Sequence, residues 1–184
     1  MTTFFQELRS KAGLLLTTLI IGVLTVFSDY IVDNIKTGIN RANTRTTHFD
    51  VISKELSAFI FNAELAEEIG ANRISNKAYI TSIITDYNTS VTSLRKNEYY
   101  HYALIHKYWN EEAYQQYRLA MQQAKTYDSL LHQLNPVYAQ LTQQAEGKLT
   151  YTPAMEEDLK QQGPKLRSAL RQLQQKSETF LNNF

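Results

Sequence analysis

Apolar and polar residues follow two different patterns along the chain, and the change between them lies near residue 28. Residues 12–28 carry no charged side chain and are rich in leucine, isoleucine and valine. As a helix this run is about 25 Å long, slightly less than the ~30 Å hydrocarbon core of a bilayer. The pattern predicts a transmembrane anchor at 12–28 after a short tail at 1–11, with a cleaved signal peptide as the alternative.

After the anchor, apolar residues recur every three or four positions, which is typical of a helix that buries one face. The first of these stripes consists of Ile31, Ile35, Ile39, Ala42, Thr46, Phe49, Ile52, Leu56, Ile60 and Ala63. The last consists of Met155, Leu159, Leu166, Leu170, Leu173 and Phe180, with Gly163 and Ser177 at the intervening heptad positions. Two further stripes lie between them, and the alternation of three and four is that of a coiled coil.

Turn-forming residues divide this region into four legs of roughly 40 residues. The breaks follow Gly70, precede Asn110 as an N-cap, and precede the N-cap and first-turn pair Thr152 and Pro153. The predicted helices cover about 30–68, 73–108, 111–146 and 153–182. Legs of equal length predict an all-α fold, in which the N-terminal transmembrane helix continues into an antiparallel up-down-up-down four-helix bundle over 29–184.

Proline, charge and cysteine content narrow the function classes. The first of three prolines is Pro136, and we expect this residue and Pro164 to kink or interrupt the third and fourth legs. The formal net charge of +1 argues against a nucleic-acid partner. The absence of cysteine excludes disulfides and thiolate chemistry. Nucleophile and phosphate-loop motifs are also missing from the sequence, so we expect neither an enzyme nor a cofactor.

The charges beside the anchor predict its orientation. Arg9 and Lys11 precede it, whereas Asp29 and Asp33 follow it. Basic residues favour the cytoplasmic side, although others follow the anchor and make the asymmetry small. The prediction is a single-pass signal-anchor protein with a cytoplasmic N-terminus and an extracytoplasmic bundle, most simply a periplasmic domain at the bacterial inner membrane.

Aromatic residues are concentrated around the second turn, where seven tyrosines fall within 99–127 beside the sole tryptophan, Trp109. Equal legs would return Tyr108 and Trp109 to the height of Tyr30, where the chain leaves the anchor. Amphipathic rings favour the membrane surface, so these three residues are predicted to form a membrane interface. The alternative is ordinary packing of tyrosines in the bundle core.

Glu98 and His101 are the strongest candidates for a binding site, because they share one helical face at core-type positions. Each of the other three legs carries an arginine at a similar position along the bundle axis, namely Arg41, Arg118 and Arg171. The five residues predict either a buried polar cluster that sets helix register or a ligand-binding site. The spacing resembles the Glu-x-x-His pairs of di-iron bundles, but it occurs once in the sequence, so no metal site is predicted here.

A second group of side chains would lie close together if the legs fold back on one another at the predicted turns. Equal legs place His48, Asp50, Asp128 and His132 at the same position along the bundle axis. Two histidines with carboxylates can bind a divalent metal ion. Scattered surface positions are the alternative, and we expect no metal at this group.

In layout the chain resembles the four-helix ligand-binding domains of bacterial chemoreceptors and sensor kinases, and also LemA-type anchored bundles. The sequence lacks the second apolar run of the former and the Asp-Leu-Ile-Pro-Asn tract of the latter, so no residue role is transferred. The pattern favours an anchored bundle that binds a membrane or envelope protein as an accessory, assembly or inhibitor subunit. The alternative is a ligand-sensing input module that relays through a separate membrane partner. A homo-oligomer is compatible with both.

Overall fold

The computed structural model describes the backbone of residues 2–145 and 149–182, and the side chains of residues 31–145 and 149–182. Over this part of the chain the fold is all-α, with five helices in a packed bundle. They are α1 (Thr2–Ala71), α2 (Lys77–Tyr108), α3 (Glu111–Gln133), α4 (Asn135–Gln143) and α5 (Pro153–Leu181). The side chains of the predicted anchor at 12–28 lie outside the described residues. A search of the described residues finds no helix with the length and apolarity to cross a bilayer.

Internal contacts divide the chain after Thr47 into two units. The first unit is the part of α1 that precedes His48. The second unit contains the bundle, in which the rest of α1 packs with α2 to α5 around one hydrophobic core. The largest fully buried side chains of this core include Ile52, Leu56, Phe59, Tyr87, Tyr117, Tyr127 and Phe180.

Neighbouring helices of the bundle run in opposite directions. The amide of Asn62 on α1 donates to the carbonyl of Asp86 on α2 at 3.3 Å. Seven residues earlier on α1, Glu55 accepts from the amide of Asn97, which lies eleven residues later on α2, at 2.7 Å. Contacts between α1 and α5 follow the same antiparallel order.

The helix starts at Asn110 and Thr152 are confirmed by their capping hydrogen bonds. The side chain of Asn110 accepts from the backbone N–H of Ala113 at 2.9 Å. The hydroxyl of Thr152 accepts from the N–H of Met155 at 3.3 Å. Each side chain satisfies one of the backbone donors that a first helical turn leaves without an intrahelical acceptor. The start of α2 is set by Asn76, a cap that the sequence interpretation missed.

The two helix-interrupting prolines behave differently. Pro136 lies in the first turn of α4, directly after the break at Leu134, so the predicted interruption of the third leg is confirmed. Pro164 lies inside α5, which continues through it. The preceding residue is Gly163, and a residue without a Cβ avoids the clash with a proline ring that normally disfavours the helical conformation. The dipeptide therefore keeps its helical path.

The apolar stripe predicted for the last leg is confirmed along its whole length. All six of its apolar members are buried in α5. Ser177, predicted to fill a heptad position of this stripe, is 1% exposed. Burial on one continuous face explains how α5 stays attached to the bundle despite Pro164.

The stripe predicted for the first leg is wrong at its N-terminal end. Ile31, Ile35 and Ile39 are 52%, 56% and 54% exposed, and burial becomes regular only from Ile52 onward. The bundle begins at His48 because its other helices end there. The ring of Tyr108, the last residue of α2, lies 5.2 Å from the ring of His48.

Candidate functional site

His101 is the most deeply buried ionisable side chain at the predicted site, with no exposed surface. Its Nδ1 atom lies 2.8 Å from the hydroxyl oxygen of Tyr117 on α3. Its Nε2 atom lies 3.5 Å from Oε2 of Glu55 on α1. Asn97 orients this carboxylate by donating to its other oxygen at 2.7 Å. The four residues form a polar cluster that joins α1, α2 and α3, with His101 and Tyr117 fully buried and Glu55 and Asn97 partly buried.

The proton on His101 decides whether this cluster is charged. Burial lowers the pKa of His101 below its ordinary value, and the nearby carboxylate of Glu55 opposes the shift. The imidazole is therefore neutral at neutral pH. Neither Nε2 of His101 nor Oε2 of Glu55 has a hydrogen-bond partner in the described structure, so protonation would convert an unmade contact into an ion pair.

We expect the stability of the bundle to fall as the pH drops below about 6.5, the ordinary pKa of histidine. The unfolded chain then binds a proton at His101 more readily than the folded chain, at up to about 1.4 kcal/mol per pH unit. Urea unfolding at pH 7.5 and pH 5.5 measures this slope. His101→Gln should flatten it, whereas His106→Gln, at an exposed position of the same helix, should leave it unchanged. Equal slopes in the wild type and His101→Gln would contradict the role of His101.

Glu98 does not join His101, although both lie on α2. Its carboxylate pairs with Lys125 of α3 at 2.7 Å. Burial and the Glu98 carboxylate together raise the pKa of Tyr102 to about 12. Glu98 therefore belongs to a second contact between α2 and α3, separate from the contacts of His101.

The three arginines predicted to accompany Glu98 and His101 are all exposed. Arg118 lies on α3 and interacts electrostatically with Tyr102. Arg171 lies on α5 and lines a cavity to which neither Glu98 nor His101 contributes. Arg41 lies in the first unit of the chain. The structure thus does not bring the five predicted residues into one pocket, and a ligand role for Glu98 and His101 stays a prediction.

Asp128 forms another buried polar contact of the core. Its side chain is 4% exposed and accepts a hydrogen bond from the hydroxyl of Tyr87 at 2.9 Å. Arg95 of α2 pairs with its second oxygen. His132, one turn later, contacts the same residue through its Nδ1 atom, 2.9 Å from the backbone carbonyl oxygen. The carboxylate is therefore committed to protein partners.

His48 lies apart from Asp128 and His132 in the bundle. Its ring packs against Tyr108, with 5.2 Å between ring centroids, and against Tyr100. Asp50 is exposed on α1. Among the described residues there is no group of three or more histidine and acidic side chains that could hold a metal ion.

A cavity of about 600 Å³ opens where the C-terminal end of α1 and the junction of α3 with α4 meet the middle of α5. The buried core residues Leu134, Tyr138, Leu159 and Leu166 form its floor, and its exposed apolar residues are Ala71 and Pro164. Its charged lining consists of Glu67, Arg73, Lys160, Arg167 and Arg171. The volume is in the range of small-molecule sites, and basic residues predominate among the charged groups.

Tyr108 and Trp109 are both partly buried against the core at the end of α2. Their rings lie 6.2 Å apart, and Trp109 is the C-terminal cap residue of the helix. The packing of Tyr108 on His48 accounts for part of its burial without a membrane. The side chain of Tyr30 lies outside the described residues, so the membrane interface stays a prediction.

Comparison of the chain with protein-family models, with curated proteins and with solved structures finds no match.

Two elements of the site escaped the sequence interpretation. Glu55 and Tyr117, the partners of His101, were not identified because the first turn was centred on residue 70. The contact between Glu55 and Asn97 centres it near residue 76, which coincides with the cap at Asn76. That cap was the available signal. The cavity had none, because its lining comes from three separated segments of the sequence.

Proposed function

We propose that this protein is a single-pass, membrane-anchored helical bundle that acts by binding a membrane or envelope protein, as an accessory, assembly or inhibitor subunit. The anchor is the uncharged run at 12–28, and the basic flank of Arg9 and Lys11 favours a cytoplasmic N-terminus. The bundle then lies on the extracytoplasmic side. This function needs no catalytic group. In keeping with this, both carboxylate oxygens of the buried Asp128 accept hydrogen bonds from side chains of the bundle.

The observation that carries the proposal is the exposed apolar face of α1. Ile31, Ile35 and Ile39 follow one another at steps of four, so they share one face of the helix. We call these three residues the isoleucine ridge. Each is more than half exposed, and the neighbouring Val32 is 45% exposed. Large apolar side chains that are exposed at helical spacing are typical of a surface that another protein covers.

The partner is expected to present an apolar helix of its own close to the membrane. The isoleucine ridge begins three residues after the anchor run ends, at residue 28. A helix that leaves the bilayer beside it could pack against the ridge at the usual interaxial distance of roughly 8–10 Å. The charge on the ridge itself is zero, so apolar packing supplies the affinity and charged rim residues supply specificity.

Site-specific photocrosslinking in native membranes tests this contact. A benzophenone amino acid at position 35 or 39 should form an adduct with one protein other than this chain. The same probe at position 37, which is exposed on the opposite side of the helix, should form little or none. Ile35→Asp should abolish the adduct from position 39, because a charge at position 35 would weaken the apolar packing of the partner along the whole ridge.

The possible results separate the partner classes. An adduct at twice 21.3 kDa identifies a second copy of the chain and replaces the separate partner with a homo-oligomer. Equal adducts from positions 35 and 37, or adducts that survive Ile35→Asp, would contradict a specific contact at the ridge. The melting midpoint of Ile35→Asp should equal that of the wild type, because Ile35 lies outside the core.

The cavity between α1 and α5 favours a second candidate function, a ligand-sensing input module that relays through a separate membrane partner. In that case ligand binding should change the crosslinking yield from the isoleucine ridge. If the crosslinking yield is unchanged when a ligand occupies the cavity, the sensing function is contradicted and partner binding is independent of the ligand. Membrane contact by Tyr108 and Trp109 belongs to either function and stays a prediction.

A further inference from the structure

Two glycines, Gly70 and Gly163, shape the edge of the cavity between α1 and α5. An added Cβ at Gly163 would meet no atom within 4 Å, so the cavity extends to the backbone of α5 at this point. At Gly70, by contrast, an added Cβ would lie 2.6 Å from Cδ2 of Leu159. The absence of a side chain there lets Leu159 close one wall of the cavity against α1.

Two of the four basic residues in the lining are already paired. The guanidinium of Arg73 donates to both carboxylate oxygens of Glu156, from Nε to Oε1 at 2.8 Å and from Nη2 to Oε2 at 2.6 Å. Arg167 donates from Nε to Glu67 at 2.9 Å. These contacts fix two cations at the rim and neutralise them.

Lys160 and Arg171 are different, because neither has an ion-pair partner in the described structure. Both lie on α5 and line the same cavity. Arg171 can offer a planar set of donors to a carboxylate, sulfonate or phosphate, and Lys160 can add a point charge. The cavity therefore contains net positive charge beside the exposed apolar side chains of Ala71 and Pro164.

The backbone at the rim is also unusual. Arg73 has a φ of 50°, in the left-handed region that residues with a side chain seldom adopt. Its side chain returns to donate to the carbonyl of Gly70, while also holding Glu156. The N–H of Ile74 donates to the carbonyl of Ile69 at 3.1 Å, so this conformation is that of the residue that ends α1 in a Schellman motif.

We infer that this cavity binds a small organic anion that carries an apolar group. Its anionic group would pair with Lys160 and Arg171, and its apolar group would lie against the exposed Ala71 and Pro164. The site needs neither the anchor nor the isoleucine ridge, so it extends beyond the proposed partner binding. An anionic lipid headgroup offers the same chemistry as a free organic anion, and the experiment distinguishes these two sources.

Isothermal titration of the full chain in a non-ionic amphipathic polymer tests the inference, with naphthalene-2-sulfonate as the probe. The sulfonate should bind at one site per chain, about tenfold or more tighter than either 2-naphthylmethanol or inorganic sulfate. The alcohol lacks the charge and the sulfate lacks the ring. Equal binding of the alcohol, or no binding of the sulfonate, would overturn the proposal.

Charge reversal identifies the residues involved. Lys160→Glu and Arg171→Glu should each weaken sulfonate binding about tenfold. The matched control is Lys165→Glu, which makes the same change of charge on α5 outside the cavity lining and should weaken binding less than about twofold. Equal weakening by Lys160→Glu and Lys165→Glu would overturn the assignment to this cavity.

A steric variant separates loss of binding from loss of folding. Ser168 is an exposed, small residue of the cavity lining, so Ser168→Tyr should block the sulfonate without lowering the melting midpoint. Retained binding in this variant would contradict the location. Competition by octanoate assigns the site to free organic anions, and stronger competition by dihexanoyl phosphatidylglycerol than by dihexanoyl phosphatidylcholine assigns it to anionic lipid.

Discussion

Replacement of Phe180 by alanine will lower the free energy of unfolding by about 3–5 kcal/mol, the usual cost of removing a buried aromatic ring. Phe180 has no exposed surface. Its ring centroid lies 5.1 Å from that of Tyr117 and 6.4 Å from that of Phe49. The side chain thus joins α5 to α3 and α1 near the end of the bundle where α2 also ends. Its removal leaves a cavity between three helices that cannot all move inward together.

Urea unfolding of Phe180→Ala and Phe61→Ala measures this effect with a matched control. Phe61 is 59% exposed on α1, so the same truncation there should change the free energy of unfolding by less than about 0.5 kcal/mol. Similar values for the two variants would show that the packing of α5 against α1 and α3 is wrong.

Asp128→Ala will lower the free energy of unfolding by about 3 kcal/mol, because it leaves the Tyr87 hydroxyl buried without an acceptor. Tyr87 is 2% exposed, and burial followed by the charge of Asp128 raises its pKa far above the ordinary value, so the hydroxyl keeps its proton and must donate. Arg95 is half exposed and can turn to solvent. The cost therefore arises mainly at Tyr87.

A double-mutant cycle tests this origin. Tyr87→Phe in the Asp128→Ala background should restore part of the lost stability, because it removes the unpaired hydroxyl. Glu98→Ala is the control: its partner Lys125 is 53% exposed, so the loss should be about 1 kcal/mol or less. Additive effects of Tyr87→Phe and Asp128→Ala, or equal losses from Asp128→Ala and Glu98→Ala, would contradict the account.

Local patterns in the sequence predicted the helices well where each signal comes from neighbouring residues. The heptad stripe of α5 and the caps at Asn110 and Thr152 depend on side chains within one or two turns, and all three appear in the structure. The exposure of Ile31 was not predictable in this way. Period alone shows which residues share a face, but not whether another helix reaches that level of the bundle.

The candidate site was harder to predict because its residues meet across helices. The first turn is centred about six residues later than the sequence interpretation placed it. This difference decides whether His101 lies level with Glu55 or with an arginine. Arg171, grouped with His101 by height, in fact lies near Glu64 and Glu67 of α1, the partners of its neighbours Gln174 and Arg167, and so at a different level from Glu55 and His101. Tertiary register, rather than residue type, was the missing information.

Accessibility of single cysteines on the two sides of the membrane tests the central claim, a membrane-anchored chain with an extracytoplasmic bundle, most directly. The sequence contains no cysteine, so Thr3→Cys and Thr150→Cys each introduce a single target. An impermeant maleimide is added to cells in which the outer membrane is permeabilised and the inner membrane is intact. It should label position 150, and it should label position 3 only after the inner membrane is also permeabilised. Labelling of both positions from the same side, or a mature chain that has lost position 3, would contradict the anchored topology.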